Sequence, residues 1–159
     1  MKNIKSIIKP FLWMVFFAAI FNTADASQTN LEFEISQTHI KLTKKMFTSV
    51  FTQLNPQAVK KYFSEEAKIS LNWDEPMDRK KLISRVGQLS KVLKAIDYQY
   101  QGFVVSKSEL VARAVVTIRL KNGDTQLRKQ ISIIQFKGNK IYRLWELSVA
   151  NNTKLKRFN

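Results

Sequence analysis

The segment ELVARAVVTIRLKNGDTQLRKQISIIQFKGNKIYRLWELSV, residues 109–149, decides the fold. It contains three runs in which apolar and polar residues alternate, which is the pattern of strands with one buried face. Asn122-Gly123 and Gly138-Asn139 separate these runs, and both pairs are signals for two-residue hairpin turns. With a similar run just before it, the segment predicts a meander of four strands at about 95–105, 109–121, 125–137 and 140–149.

The two turns also predict which residues pair and which face each strand buries. With two-residue turns, Ile118 lies opposite Leu127 and Ile133 lies opposite Leu144. The face that packs on helices then receives Ala112, Ala114, Val116, Ile118, Leu120, Leu127, Ile131, Ile133 and Leu144. The opposite face receives Arg113, Thr117, Arg119, Arg128, Gln130, Ser132, Ile134, Arg143 and Trp145.

The residues before the meander show the 3.6-residue period of amphipathic helices, with lysines opposite the apolar stripe. Ser and Asp residues at the helix starts, and one Asn-Pro pair, are the usual N-terminal signals. The predicted elements are a helix from Ser36 or Thr38 to about Leu54, a short helix from Asn55-Pro56 to Phe63, a strand over Ala67–Trp73 and a helix from Asp78 to about Lys94. Helices gathered beside an antiparallel sheet predict an α+β domain.

This order of elements, with YFSEEA at 62–67, IIQFKGNKI at 133–141 and WEL at 145–147, resembles the nuclear transport factor 2-like superfamily. The resemblance is greatest to its SnoaL-like, polyketide-cyclase-like branch, and it covers residues 36–149. It implies a cone-shaped domain of three N-terminal helices on one face of a curved antiparallel sheet, a pocket between them, and dimerisation through the outer sheet face. Members include isomerases, cyclases, dehydratases, secretion-machine components and binding modules, so the fold alone does not settle function.

The chemistry of the steroid isomerases in this superfamily is not carried by this sequence. Those enzymes use an acidic base, a tyrosine and a protonated aspartate. The matching positions fall near Ser70-Leu71-Asn72, Val50 and Ile131-Ser132-Ile133, and none offers the required side chain. The chain has no cysteine and one histidine, His39, so thiolate nucleophiles and multi-histidine metal sites are excluded, and we expect no metal or cofactor. His39 is predicted to lie at a helix boundary.

Glu146 is the strongest candidate for chemistry. The register places it on the helix-facing side, beside Leu144 and opposite Ile131, where a carboxylate is a paired structural charge, a ligand contact or a general base. Asp74 is a second candidate base, although Asp74-Glu75-Pro76 also serves as a strand end. The predicted ligand-binding residues are Tyr62, Trp73, Tyr142 and Glu146, and aromatic residues at such positions commonly build the core.

The net charge of +15 is the extreme feature of the composition. Most of the lysines lie on the outer sides of the predicted helices, as on any solvated face. Four arginines share a sheet face with a tryptophan, which predicts a surface for an anionic partner or a dimer: Arg113, Arg119, Arg128, Arg143 and Trp145. No nucleic-acid-binding motif is present, so we expect weak attraction to anionic membrane surfaces rather than nucleic acid.

Residues 1–26 have the pattern of a secretory signal peptide. Three lysines precede the apolar run Phe11–Phe21, and Ala24-Asp25-Ala26 supplies a cleavage site. An apolar helix of this length spans roughly 16 Å, about half of a hydrocarbon core. We therefore expect cleavage after Ala26 and export to the periplasm or medium, with an uncleaved inner-membrane anchor as the alternative.

The expected organisation is a signal peptide at 1–26, a lead-in at 27–35, the folded domain at 36–149 and a basic tail at 150–159. The leading interpretation is an exported protein that binds a small apolar or amphipathic ligand, or an envelope protein, without catalysis. One alternative is an enzyme of the cyclase, isomerase or dehydratase type with Glu146 or Asp74 as the base. Another is a component of a bacterial envelope or secretion assembly.

Overall fold

The computed structural model of the protein describes residues 36–72 and 74–150. The chain divides at Gln37 into two units, and the fold lies in the second, Thr38–Asn159. The predicted signal peptide, the lead-in, most of the basic tail and Trp73 lie outside the described residues. The elements are α1 (36–46), continued by a π-helical segment (Phe47–Thr52), α2 (Ala58–Tyr62), β1 (Phe63–Leu71), α3 (Arg79–Val92), β2 (Leu93–Ser106), β3 (Glu109–Leu120), β4 (Thr125–Lys137) and β5 (Lys140–Ala150).

The five strands form one open, curved sheet in the order β1-β5-β4-β3-β2, in an α+β domain. Strands β2 to β5 form the predicted antiparallel meander, but β1 pairs with β5 in parallel, with Ile69 beside Leu144. The sheet is therefore mixed, and the prediction of an antiparallel sheet was wrong for this strand. Strand β1 also begins at Phe63, directly after α2, and not at Ala67.

The turn between β3 and β4 has three residues and not the predicted two. The Leu120 N–H donates to the Asp124 carbonyl at 2.8 Å, and the Gly123 N–H donates to the Leu120 carbonyl at 3.2 Å. Gly123 has φ +98, the left-handed conformation that ends a three-residue hairpin of this type. Ile118 therefore pairs with Gln126 and not with Leu127.

This single extra residue reverses the faces of β4, because side chains alternate along a strand. Gln130, Ser132 and Ile134 are buried, whereas Leu127 and Ile131 are 41% and 44% exposed. The predicted helix-facing positions of Leu127, Ile131 and Ile133 were therefore wrong. So were the predicted outer positions of Arg128, Gln130, Ser132 and Ile134.

The second hairpin begins in the predicted register, with Phe136 opposite Ile141. A bulge then shifts the pairing by one residue, so Gln135 lies opposite Arg143 and Ile133 lies opposite Trp145. This shift compensates for the first one. The prediction that Leu144 and Glu146 face the helices is confirmed, although their partners on β4 are Ile134 and Ser132.

The core lies between the helices and the inner face of the sheet. Met46, Phe47 and Val50 from the first helix pack with Leu82 and Val86 from α3, as the apolar stripes predict. Asp78 caps α3 as predicted, since its Oδ1 accepts a hydrogen bond from the Lys81 N–H at 2.7 Å. Within residues 36–72 and 74–150, no helix has the length and hydropathy needed to cross a membrane.

Candidate functional site

Glu146 lies on the helix-facing side of β5, partly buried, between Leu144 and Ser148. Ser132 is its partner on β4 and Leu71 its partner on β1. Lys129 is not near it, because it pairs with Val149 and belongs to the outer face. No described residue forms a hydrogen bond or an ion pair with the Glu146 carboxyl group, which leaves it open to a ligand or to solvent.

Burial raises the pKa of Glu146 to about 7, because a carboxylate loses hydration there. The charges of Arg85 and Arg128 act in the opposite direction but do not cancel the effect of burial. Tyr98 lies close enough to feel the Glu146 charge, and both its burial and that charge raise the pKa of its phenol. At neutral pH the Glu146 carboxyl group is therefore partly ionised, whereas the Tyr98 phenol keeps its proton.

Asn72 connects the end of β1 to β5 around Glu146. Its N–H donates to the Glu146 carbonyl at 2.8 Å, and its Oδ1 accepts from the Ser148 N–H at 2.7 Å and from the Ser148 hydroxyl at 3.2 Å. Asn72 has φ +51, a conformation that asparagine tolerates better than most residues. These bonds hold the backbone on both sides of the carboxyl group in place.

Strands β4 and β5 add further polar groups on the same side. Gln130 Nε2 donates to Ser132 Oγ at 2.9 Å, and both residues are buried. Arg128 Nη1 donates to Ser148 Oγ at 3.3 Å, and Arg128 Nε is buried without a hydrogen-bond partner. We call Arg128, Gln130, Ser132, Glu146 and Ser148 the polar strip. Buried polar groups usually have hydrogen-bond partners. The unpaired Arg128 Nε and Glu146 carboxyl group therefore indicate a place where a ligand could supply the missing partners.

Aromatic residues from β2 and the π-helical segment form an apolar wall on the helix-facing side of the sheet. The rings of Phe47 and Tyr98 are 4.8 Å apart, and those of Tyr98 and Tyr100 are 6.2 Å apart and nearly parallel. Tyr100 Oη is buried without a hydrogen-bond partner, and burial raises its pKa. The site thus combines an aromatic surface with a few polar groups, as small-molecule sites do.

Among the predicted ligand-binding residues that the structure describes, Glu146 alone belongs to the polar strip. Tyr62 is buried in the core, where its hydroxyl lies 3.2 Å from Ser49 Oγ. Tyr142 lies at the β5 bulge, four positions before Glu146, with the Arg143 guanidinium 5.4 Å from its ring centre. Trp73 lies outside the described residues. A ligand-binding role for these three aromatic residues stays a prediction.

Asp74, the second predicted base, is exposed at the end of β1 and forms an ion pair with Arg85 at 3.5 Å. The Arg85 charge also opposes the rise that burial causes in the pKa of Glu146. One arginine therefore acts on both predicted acids. His39 is buried and stacks on Phe136, with ring centres 4.1 Å apart. Burial lowers the pKa of His39, which makes it a neutral core residue at pH 7.

The outer face carries most of the predicted arginine surface. Arg113, Arg119 and Arg143 lie there with Trp145, and Arg119 forms an ion pair with Asp97. Arg128 lies on the other face, because the longer β3–β4 turn reverses β4. A depression of about 610 Å³ opens on the outer face and is lined by residues of that face and by Glu146, and a second of about 390 Å³ adjoins it.

Sequence reasoning missed Asn72, Arg85, Tyr98 and the polar members of β4. The alternation of Ile96, Tyr98 and Tyr100 on β2 was a usable signal for an aromatic wall, because three residues spaced by two share a face. In the described part of the chain, no group of three or more His, Cys, Asp or Glu side chains has an arrangement that could hold a metal ion.

No protein-family profile matches the sequence, and no curated protein matches it. Solved structures do match the fold. A proposed polyketide cyclase from Acidithiobacillus ferrooxidans has 17% identity and a TM-score of 0.58, with 68% of this chain and 85% of that chain covered. A proposed SnoaL-like polyketide cyclase from Jannaschia sp. CCS1 has 6% identity and a TM-score of 0.61, with 70% and 85% covered.

A third similar structure is a protein with a ketosteroid isomerase-like fold from Catenulispora acidiphila, in complex with trimethylamine. It has 11% identity and a TM-score of 0.57, with 64% of this chain and 81% of that chain covered. At these identities the likeness concerns the fold. The chain has the nuclear transport factor 2-like fold, and the resemblance predicted from the sequence is confirmed at that level.

Proposed function

We propose that this protein binds a small, mainly apolar ligand between the helices and the sheet, with Glu146 as the polar anchor. The observation that carries the proposal is a partly buried carboxyl group without a hydrogen bond from the described residues. Such a group is costly unless something binds it. A ligand with an apolar body would pack on the Tyr98 and Tyr100 wall and place one hydrogen-bonding group at Glu146.

The proposal is tested with 2-naphthol, which has an apolar body and one hydroxyl donor, and with naphthalene, which lacks the donor. Ionised Glu146 accepts a stronger hydrogen bond than the neutral acid, so the affinity for 2-naphthol should rise about fivefold from pH 6 to pH 8. Fluorescence titration measures both affinities, and naphthalene should show no such rise.

Glu146→Gln should abolish the pH dependence, whereas Glu75→Gln is the matched control, since Glu75 is exposed. A wild-type affinity for 2-naphthol that is equal at pH 6 and pH 8 would contradict Glu146 as the anchor. So would an unchanged pH dependence in Glu146→Gln.

A second candidate function is acid–base catalysis of the isomerase, cyclase or dehydratase type. It is favoured by the pairing of Glu146, with a pKa of about 7, and Tyr98, whose pKa lies far above it. The carboxylate would remove a proton from a carbon next to a carbonyl group, and the phenol would donate to the resulting oxyanion. The proposed cyclases of similar fold support this alternative only through their fold.

This alternative is tested by exchange of the α-protons of 2-tetralone in D₂O, followed by NMR. Catalysed exchange should accelerate as pH rises through about 7, where Glu146 ionises, and should be lost in Glu146→Gln. Tyr98→Phe should slow it about a hundredfold. If the α-protons of 2-tetralone exchange no faster with the protein than in buffer, the catalytic alternative is wrong and the binding function is the remaining proposal.

Export is a separate proposal that rests on the sequence of residues 1–26. N-terminal sequencing of the protein made in a bacterial host with a periplasm should find Ser27 first. Retention of Met1 would instead favour the membrane-anchored component of an envelope assembly.

A further inference from the structure

We propose that the outer face of the sheet contains a second binding site, which takes a single-chain amphiphile with an anionic headgroup. The site consists of two adjoining depressions that share Ser70 and Trp145. Nothing in the proposed function at Glu146 requires it, because the two faces of β5 present different side chains.

The larger depression accounts for the apolar chain of the ligand. Its floor is formed by outward-facing residues of β4 and β5, namely Ile131, Ile133, Trp145 and Leu147. Ile131, Trp145 and Leu147 are 44%, 37% and 38% exposed, so the apolar surface is open. A volume of about 610 Å³ lies within the range of small-molecule sites, and an apolar patch of this kind indicates a binding surface.

The smaller depression accounts for the anionic headgroup. Lys68 and Arg143 lie side by side on β1 and β5 and line it together with Ser70, Pro76 and Trp145. Neither cation forms an ion pair within residues 36–72 and 74–150. The Arg143 guanidinium lies 5.6 Å from the centre of the Trp145 ring, which positions it at the junction of the two depressions.

The acidic residues at the larger depression do not neutralise these cations. Asp74 pairs with Arg85, and the Glu109 carboxylate accepts a hydrogen bond from Gln135 Nε2 at 2.9 Å. Glu109 pairs with Gln135, which pairs in turn with Arg143. Two strand spacings therefore separate Glu109 from Arg143, which is roughly 10 Å. Glu146 also lines the larger depression, but its side chain alternates with those of Trp145 and Leu147 and faces the helices.

The charge pattern favours an amphiphilic anion over a second copy of the chain. A two-fold contact through this face would bring its unpaired cations, Arg113, Lys129 and Arg143, against the same set on the partner. An anion with an alkyl chain satisfies both the cations and the apolar floor.

The test is isothermal titration calorimetry of the whole protein with decanoate below its micelle concentration. Decanol and decyltrimethylammonium serve as neutral and cationic comparisons. Decanoate should bind at least tenfold more tightly than either, and the difference from decanol should shrink in about 0.5 M salt. Lys68→Gln with Arg143→Gln should abolish the preference for decanoate, whereas Arg113→Gln, on the same face but outside both depressions, should not.

The double variant of Lys68 and Arg143 should keep the wild-type pH dependence of 2-naphthol binding, which separates this site from the one proposed at Glu146. Three results would overturn the proposal: equal affinity for the three amphiphiles, unchanged affinity in the double variant, or binding of decanoate only as micelles. A stable dimer by sedimentation equilibrium that decanoate does not perturb would also overturn it, because the face would then be covered by a second copy.

Discussion

The two faces of strands β4 and β5 differ in a way that reverses the usual partition of residues. On the helix-facing side, Gln130 and Ser132 are buried and bond to each other at 2.9 Å, next to the partly buried Glu146. On the outer side, Ile131 and Leu147 are exposed. Polar groups inside need partners and apolar groups outside need cover. Both faces of these strands therefore depart from the distribution of residues that stability alone favours.

The largest expected effect concerns which isoleucine of β4 supports the core. Ile134→Ala should lower the free energy of unfolding by about 3 kcal/mol, because Ile134 is fully buried and its loss leaves a cavity. Ile131→Ala, the same change on the exposed face, should cost less than about 1 kcal/mol. Urea denaturation measures both. Equal losses would contradict the shifted register of β4.

The second effect concerns pH and the inner face. Folding raises the pKa of Glu146 from about 4.5 to about 7, so the folded state binds the proton more tightly than the unfolded state. This group therefore costs nothing below pH 4.5, and its penalty grows as pH rises to about 7 and then levels off at about 3 kcal/mol.

Glu146→Gln should accordingly be more stable than the wild type at pH 8 and no more stable at pH 4. Glu75→Gln should show neither difference. Thermal denaturation across pH 4–8 measures the effect, and parallel stability curves for the wild type and Glu146→Gln would contradict the burial of this carboxyl group.

The third effect concerns the turn that sets the two faces. Gly123→Val should cost about 1–2 kcal/mol, because φ +98 places its Cβ in a strained conformation although no atom lies within 4 Å of it. Gly102→Ala is the control, since nothing lies within 4 Å of that Cβ either and its φ is not in the left-handed range. Equal stabilities of the two variants would argue against the three-residue turn.

The smallest effect concerns the outer charges. Arg119→Gln removes an exposed ion pair with Asp97 and should change the free energy of unfolding by less than about 0.5 kcal/mol. Urea denaturation would detect a larger loss, which would indicate that this arginine does more than pair at the surface.

Much of the fold was predictable because local signals agreed with one another. The helix cap at Asp78, the apolar stripe of α3 and the meander of β2 to β5 all follow from short-range patterns. The faces of β4 were not predictable, since Asn122-Gly123 occurs in turns of two or three residues and one residue reverses a strand. The parallel pairing of β1 joins distant segments, and no local pattern reports it.

The site was predictable only in part. The position of one of its residues was predicted correctly because two errors in strand register cancelled. Glu146 was placed on the correct face because the error at Gly123 and the bulge before Arg143 cancel on β5. Arg128 lies only one hairpin away and was placed on the wrong face, because only the first of these shifts acts on β4. Tyr98 and Arg85 reach Glu146 through tertiary packing, which the order of residues does not reveal.

The parallel pairing of β1 with β5 also has a consequence in time. Asn72 bonds to Ser148, which lies 76 positions later in the chain. A ribosome needs roughly 4–15 s to add that many residues. Throughout that interval β1 has no strand to pair with, and the sheet is completed only when β5, the last strand, has been made. The first strand to be synthesised, β1, is therefore the last to pair.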